Sequence, residues 1–297
     1  MPTATSYFGY ALTNLGPLTT TFSAAPSCAT AANVLYYVNA SNTAEFYGRP
    51  SCSPGPWADA CYPSGAALDA LESAYWAAPT RAFAHYYSPG VACPAGWTTA
   101  GVGSHVASAP GALTGDGVFT RDPWSLLRQY RDSNATIDAF LPLVDVYLDV
   151  LDPAETLVFC CPSGYNAGVY GRCASSVAPL TSYSTSDICF VDYPDVDYVT
   201  VSTTVDELLT VNIVTATATA TGDALTTSVY SFTNWYHGEA TEVAVASLVP
   251  AVALVHQASD LPSSGVSLFS GPSVLLTLLL PLWLLIGVAT RARMVIR

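Results

Sequence analysis

From Asp197 to Ala258 the chain alternates. The stretches "YVTVSTTV", "LTVNIVTATATAT", "TTSVYSFTNWY" and "EVAVASLVPAVALV" are rich in β-branched and aromatic residues and alternate with period two, the period of strands that turn one face toward a core. Turn signals at Gly222-Asp223 and His237-Gly238 punctuate them, so several antiparallel strands are predicted. The threonines of "TATATAT" could instead carry O-linked sugars on a stalk; their alternation with alanine favours a strand face.

Upstream the pattern is patchier. The first 60 residues are rich in Pro, Ser and Thr, with one strand signal at Asn33 to Val38, "NVLYYV". Between Gly65 and Tyr87, "ALDALESAYWAA" repeats Leu68, Leu71, Tyr75 and Trp76 at helical spacing. Asp122-Pro123 makes a cap and first-turn pair for a short helix through Arg131. "LPLVDVYLDVLD" supports two readings: a helix would gather Asp145, Asp149 and Asp152, whereas Val144, Val146, Leu148 and Val150 alternate like a strand.

The longest apolar run is at the C-terminal end. No charge occurs from Leu261 to Thr290, and "VLLTLLLPLWLLIGVA" precedes the basic "RARMVIR". Leu268 to Thr290 supplies the roughly 20 residues that a bilayer core demands, and Pro281 is tolerable in a kinked span. Arg291, Arg293 and Arg297 put that end on the cytoplasmic side and residues 1 to about 265 outside or in the lumen. Two other readings compete. Ser263, Ser264 and Gly265 ahead of the apolar run resemble a glycolipid-anchor signal, against which the basic end counts. "MPTATSYFGYALTNLGPL" shows no basic or apolar leader region, which read literally describes a tail-anchored intracellular membrane protein. An incomplete first exon or a non-standard route reconciles it with an outside location.

Composition sharpens this. The chain has 22 acidic and 9 basic residues, none of them lysine, and so acidic a surface excludes nucleic acid as a partner because it lacks the cations that displace phosphate counterions. Cys28, Cys52, Cys61, Cys93, Cys160, Cys161, Cys173 and Cys189 form an even set outside the apolar run, as a disulfide framework would. The sequons at Asn39 and Asn134 fit the same oxidising compartment.

One motif recurs: Cys93-Pro94-Ala95-Gly96-Trp97 and Cys161-Pro162-Ser163-Gly164-Tyr165, with Cys61-Tyr62-Pro63-Ser64-Gly65 as a looser copy. Proline fixes φ and glycine admits positive φ, so each copy predicts a tight turn leaving a disulfide, its ring free to pack over the bridge. Cys160 and Cys161 should reach different partners on opposite sides of the chain. A short loop favours Cys161 with Cys173, and Cys93 is a candidate for Cys160; sequence leaves the full connectivity open. A redox or metal role is disfavoured, since no Cys-x-x-Cys and no histidine at ligand spacing accompanies the cysteines.

"LGPLTTTFSAAPSC", "YYSPGVACPAGWTTAG", "TLVFCCPSGY" and "VALVHQASDL", in this order and followed by a membrane segment, look like blocks of a group of single-span, cysteine-containing cell-surface proteins of filamentous ascomycete fungi. The group brings no established activity. The resemblance implies a secreted, disulfide-bonded, single-span architecture. Residues 122 to 152 depart from it as an insertion, and the tail is only seven residues long, so it implies no signalling role. Leu261-Pro262-Ser263-Ser264-Gly265 also resembles the bacterial sortase signal, with Ser264 in the place of threonine, but cystine corners are foreign to such wall proteins.

The predicted fold is therefore mainly β: a disulfide-stapled, β-sandwich-like or irregular antiparallel ectodomain with a few short helices, plus one C-terminal transmembrane helix. Its parts are an N-terminal extended segment (1–27), the ectodomain (28–260, cysteine-rich over 28–196 and β-rich over 197–260), a juxtamembrane linker (261–272), the transmembrane helix (273–290) and a basic tail (291–297).

Chemistry is sparse. There is no nucleophile elbow, phosphate loop, dinucleotide fingerprint or zincin motif, and His85, His105, His237 and His256 are scattered. Asp187, Asp192, Asp195 and Asp197 could bind calcium or supply a glycosidase pair, but a solvated acidic loop fits better because EF-hand spacing is missing. Trp57, Trp97, Tyr165, Trp235 and Tyr236 lie near turns and could stack on sugar rings, though packing over disulfides is their expected use. We expect no cofactor, no metal and no catalytic residue. The expected protein is a non-enzymatic cell-surface membrane glycoprotein of the plasma membrane, structural or recognising cell-wall polysaccharide or a surface protein, held in the lipid bilayer by its C-terminal helix. The alternative is a membrane-tethered or glycolipid-anchored extracellular hydrolase acting on wall polysaccharide.

Overall fold

A computed structural model describes residues 2–7, 10–29, 35–39, 46–50, 59–77, 83–105, 113–119, 142–175, 178–179, 187–192, 196–206, 209–220, 226–231 and 242–261. In chain order the elements are β1 (Ser6–Tyr7), β2 (Tyr10–Asn14), β3 (Leu35–Asn39), β4 (Phe46–Gly48), α1 (Gly65–Ala77), β5 (Phe83–Tyr86), β6 (Trp97–His105), β7 (Leu113–Gly115) and α2 (Leu143–Val150). There follow β8 (Glu155–Pro162), β9 (Asn166–Gly168), β10 (Arg172–Ala174), β11 (Ala178–Pro179), β12 (Asp187–Asp192), β13 (Val196–Asp206), β14 (Leu209–Ala220), β15 (Thr226–Ser231), β16 (Val243–Pro250) and β17 (Val252–Gln257). The fold is mainly β, with several antiparallel sheets, few helices and disulfide bonds.

Two sheets meet edge to edge. One has the order β1-β2-β5, with β2 and β5 parallel; the other has the order β17-β8-β6-β7. Tyr87, just after β5, bridges in parallel to Leu254, donating from its N–H to Ala253 O at 2.9 Å and accepting from Val255 N at 2.8 Å. Alternation along β8 then divides the core. Leu157, Phe159 and Cys161 join α2, Tyr10, Tyr86 and Val255 in one cluster, while Val158 and Cys160 join Tyr62 and Leu68 on the other face. The helices α1 and α2 therefore cover opposite faces of the joined sheet. The N-terminal segment is part of this core: Tyr10 and Leu12 of β2 are buried in it.

The ambiguous "LPLVDVYLDV" is helical because it is enclosed on most sides. Val144, Val146, Tyr147, Leu148 and Val150 are all buried, so the valines that alternate in sequence find apolar neighbours around the helix and not on one strand face. Pro142 supplies the first turn's acceptor for Asp145 N (3.0 Å) and Val146 N (3.2 Å), and Leu151 ends the helix in extended backbone. Glycines let α2 and the turn after β7 come close. A β-carbon on Gly103 would sit 2.5 Å from Leu148 Cδ2, and one on Gly115 2.5 Å from Phe119 Cβ. Phe119 fills that space edge-on to Phe159, ring centroids 5.0 Å apart.

A six-stranded sheet runs β4-β3-β16-β10-β9, with β11 also on β16. Its own core is Tyr36, Val38, Ala174, Ala244, Ala246 and Leu248. Ala251 alone separates β16 from β17, so one continuous stretch supplies a strand to each large sheet. The pairs β12–β15 and β13–β14 are two-stranded. The strand read at Asn33–Val38 corresponds to β3, and the helix read in "ALDALESAYWAA" corresponds to α1. The short helix read at Asp122–Arg131 and the apolar run with its expected transmembrane helix (273–290) lie outside the described residues. Among the described residues no helix is long and apolar enough to cross a membrane.

Candidate functional site

The repeated cysteine turns converge. β6 begins at Trp97 and β8 ends at Pro162, and the antiparallel register sets these two residues opposite each other, with Thr98 opposite Cys161 and Thr99 opposite Cys160. Each motif closes a four-residue turn: Trp97 N donates to Pro94 O and Tyr165 N to Pro162 O, both at 3.0 Å. Gly96 (φ 78°) and Gly164 (φ 84°) occupy the third position, where a type II turn demands positive φ. Nothing lies within 4 Å of a β-carbon placed at either glycine; backbone conformation and not crowding requires them.

Ser163 clamps the two turns together. Its N–H and its hydroxyl both donate to Gly96 O, at 3.0 and 2.8 Å. The third motif docks beside them. Gly65 N donates to Tyr62 O at 3.2 Å, Ser64 takes a positive φ of 52°, and the Tyr87 hydroxyl donates to Pro63 O at 2.5 Å. Tyr62 meets Trp97 edge-on, centroids 5.4 Å apart at 84°, a favoured aromatic geometry. Burial raises the Tyr62 phenol well above its ordinary range.

Disulfides hold the arrangement from behind. Cys93 bonds Cys160, Cys161 bonds Cys173 and Cys28 bonds Cys61. Neighbouring side chains on a strand point to opposite faces, so Cys160 staples the α1 face and Cys161 the α2 face. Trp97 packs into the cluster around Cys160, and Tyr165 into that around Cys161 and Cys173. Each ring thus packs against the cluster that holds its own motif's bridge and is half-buried, while Ala95, Gly96, Ser163, Gly164 and Ser64 face solvent. The result is a rigid patch of exposed hydroxyls and turn backbone beside two partly exposed rings, a mixture that suits sugars or polar peptide segments.

Comparison with protein-family models, with curated proteins and with solved structures finds no match to this chain.

Cys189 is also disulfide-bonded, and no described cysteine is free; Cys52 lies outside the described residues. Cys189 exchanges backbone hydrogen bonds with Arg49, at 2.8 and 3.0 Å, and the buried Arg49 guanidinium sits 5.1 Å above the Tyr36 ring. Asn39 closes β3 opposite Val243 and is half-buried. Asn134, Arg291, Arg293 and Arg297 lie outside the described residues, as do His237, Asp195, Trp57, Trp235 and Tyr236.

The first two members of the acidic run stand apart. Asp187 and Asp192 stand at opposite ends of β12, paired with Ser231 and Thr226, which separates them by about 17 Å at strand rise. No group of metal-ligating side chains occurs among the described residues. His85 lies on β5 beside Phe83, ring centroids 5.8 Å apart; its Nε2 is enclosed without a hydrogen-bond partner, and burial pushes its pKa down to about 4. Burial also lowers His256, opposed by a hydrogen bond with the Gly90 backbone and by Asp260.

Some polar contacts escape sequence reading. The Tyr7 hydroxyl donates to Asp149 Oδ2 at 3.0 Å, and His105 Nε2 lies 2.9 Å from Leu151 O. Burial raises the Asp149 carboxyl, while Tyr7 and the nearby His105 pull it back. Glu155, almost wholly buried, accepts from Asp152 N at 3.0 Å and so closes the turn into β8. Only the spacing of Asp145 and Asp149 hints at this set; nothing in sequence links Tyr7 to residues 142 positions away.

Proposed function

We propose that residues 1–260, whose first strands β1 and β2 belong to the same core, form the ectodomain of a membrane-anchored cell-surface glycoprotein that recognises cell-wall polysaccharide, or a neighbouring surface protein, without catalysing its turnover. One observation carries this: two Cys-Pro-x-Gly-aromatic turns from distant parts of the chain are clamped together by Ser163, stapled from both faces by disulfides, and presented to solvent. Preorganised surfaces of this kind bind with little ordering cost. The compartment follows from the cysteines, since disulfides at every described cysteine belong to oxidising surroundings. In this reading the apolar run 273–290 is the anchor, Arg291, Arg293 and Arg297 keep the tail cytoplasmic, and Asn39 and Asn134 carry glycans.

The experiment is retention of the full chain on insoluble chitin and β-glucan, run beside an assay for soluble sugar released from the same polymers. Binding without sugar release is expected, together with weaker retention of Ser163→Ala, which loses the hydroxyl half of the clamp. Sugar release without stable retention would instead identify a tethered hydrolase. Free thiols throughout and bare asparagines, seen by mass spectrometry on native material, would overturn the compartment.

A further inference from the structure

We infer that Thr19, Thr20, Thr21 and Ser23 are sites of O-linked glycosylation, whose sugars stand at the rim of the corner patch. The inference rests on the oxidising, secretory compartment of the proposed function. All four side chains are exposed, and among the described residues none of the four makes a hydrogen bond within the protein. Thr19 to Ala25 belongs to no strand or helix. Pro17 and Pro26 bracket it, and Ser/Thr-rich stretches with proline have the composition of O-glycosylated chain, since proline keeps the backbone out of helix interiors and central strands. The chemistry needs a hydroxyl and a glycosyl phosphate donor. The Oγ attacks the anomeric carbon, the bond from that carbon to phosphate breaks, phosphate leaves with the electron pair, and the hydroxyl proton passes to a base of the transferase.

Other residues hold this segment in place. Leu18 N donates to Pro89 O at 2.8 Å and Leu18 O accepts from Val91 N at 3.0 Å, while Phe22 O accepts from Ala95 N at 2.7 Å. Leu18 also packs against the cluster around Tyr62 and Cys160. A sugar on any of the four hydroxyls therefore displaces water alone and breaks no internal hydrogen bond. By contrast, Ser88 and Ser247 are buried away from any transferase, and Thr210 and Thr215 are held in the β13–β14 ladder. Ala95 is the exposed third residue of the Cys93-Pro94-Ala95-Gly96-Trp97 turn, so its bond to Phe22 sets Thr21 and Ser23 beside the corner. Sugars there border whatever the corner binds.

The test is site-resolved mass spectrometry of the full-length chain purified from its native cells, with cysteine pairing and both asparagine sequons read from the same digest. At least one of the four hydroxyls should carry sugar mass. The variant combining Thr19→Val, Thr20→Val, Thr21→Val and Ser23→Ala should lose all of it and leave any mass at Asn39 and Asn134 unchanged; the wild-type map decides even where this variant fails to mature. A bare segment from Thr19 to Ser23 in material whose cysteines are bridged would overturn the inference and leave the compartment standing, as would O-linked sugar confined to β14. Free thiols throughout would overturn both.

Discussion

His85 makes the chain sensitive to acid. Its ring is held neutral because Nε2 is enclosed with no acceptor or donor, so the folded chain takes up its proton near pH 4 whereas the unfolded chain does so near 6.5. As pH falls through that window the unfolded state binds the proton first, and stability declines until about pH 4, where the loss levels off at up to about 3 kcal/mol. The lowered His256 acts in the same direction, and the raised Asp149 in the opposite one. Urea unfolding of the wild type and of His85→Gln at pH 7 and pH 4.5 isolates the imidazole: the wild type should lose more stability on acidification. Equal losses would show that His85 is hydrated in the folded chain.

At the scale of elements, glycine does two different jobs that substitution can separate. Gly96 and Gly164 supply positive φ in open space, so Gly96→Ala should cost about 1 kcal/mol from backbone strain. Gly103 supplies room for α2, and Gly103→Ala drives a methyl onto Leu148 Cδ2, costing about 1–3 kcal/mol through a displaced helix. The urea midpoint should therefore fall further for Gly103→Ala; the reverse order would mean that α2 yields freely. The corners were legible in sequence because proline, glycine and cysteine act locally, each restricting its own backbone or bond. The helical state of "LVDVYLDV" was not, since the glycines and sheet that enclose it are Gly103, Gly171 and β8. Pairing of Tyr7 with Asp149 was equally hidden, being a product of tertiary packing alone.

Across the whole molecule, accessibility ranks the bridges. Cys161 and Cys173 are both fully buried, Cys93 of the Cys93–Cys160 bridge is half-buried, and both Cys28 and Cys61 are half-buried. Because a thiolate must reach the sulfur it attacks, limited reductant should open Cys28–Cys61 first and Cys161–Cys173 last. Differential alkylation read by mass spectrometry checks the order, and early labelling of Cys173 would contradict it. The bridge closing the longer loop, Cys93–Cys160 with 67 residues of separation, should contribute about 4 kcal/mol by chain entropy against about 3 for the 12-residue Cys161–Cys173 loop. The mainly β class was legible at this scale from period-two alternation. The division into two large sheets was not, because Ala251 reads as one more small residue in an unbroken apolar run.

That junction also governs how the molecule bears load. β17 is hydrogen-bonded to β8 over six residue pairs and leans on Tyr87 along its other side, and the chain leaves it through Ala258–Asp260. A pull on Leu261 along the strand would drag β17 lengthwise past both neighbours, straining their hydrogen bonds together instead of unzipping them singly. Mechanical tension applied at Leu261 would thus be resisted at its point of entry, and the corner patch would keep its shape while the protein is tugged.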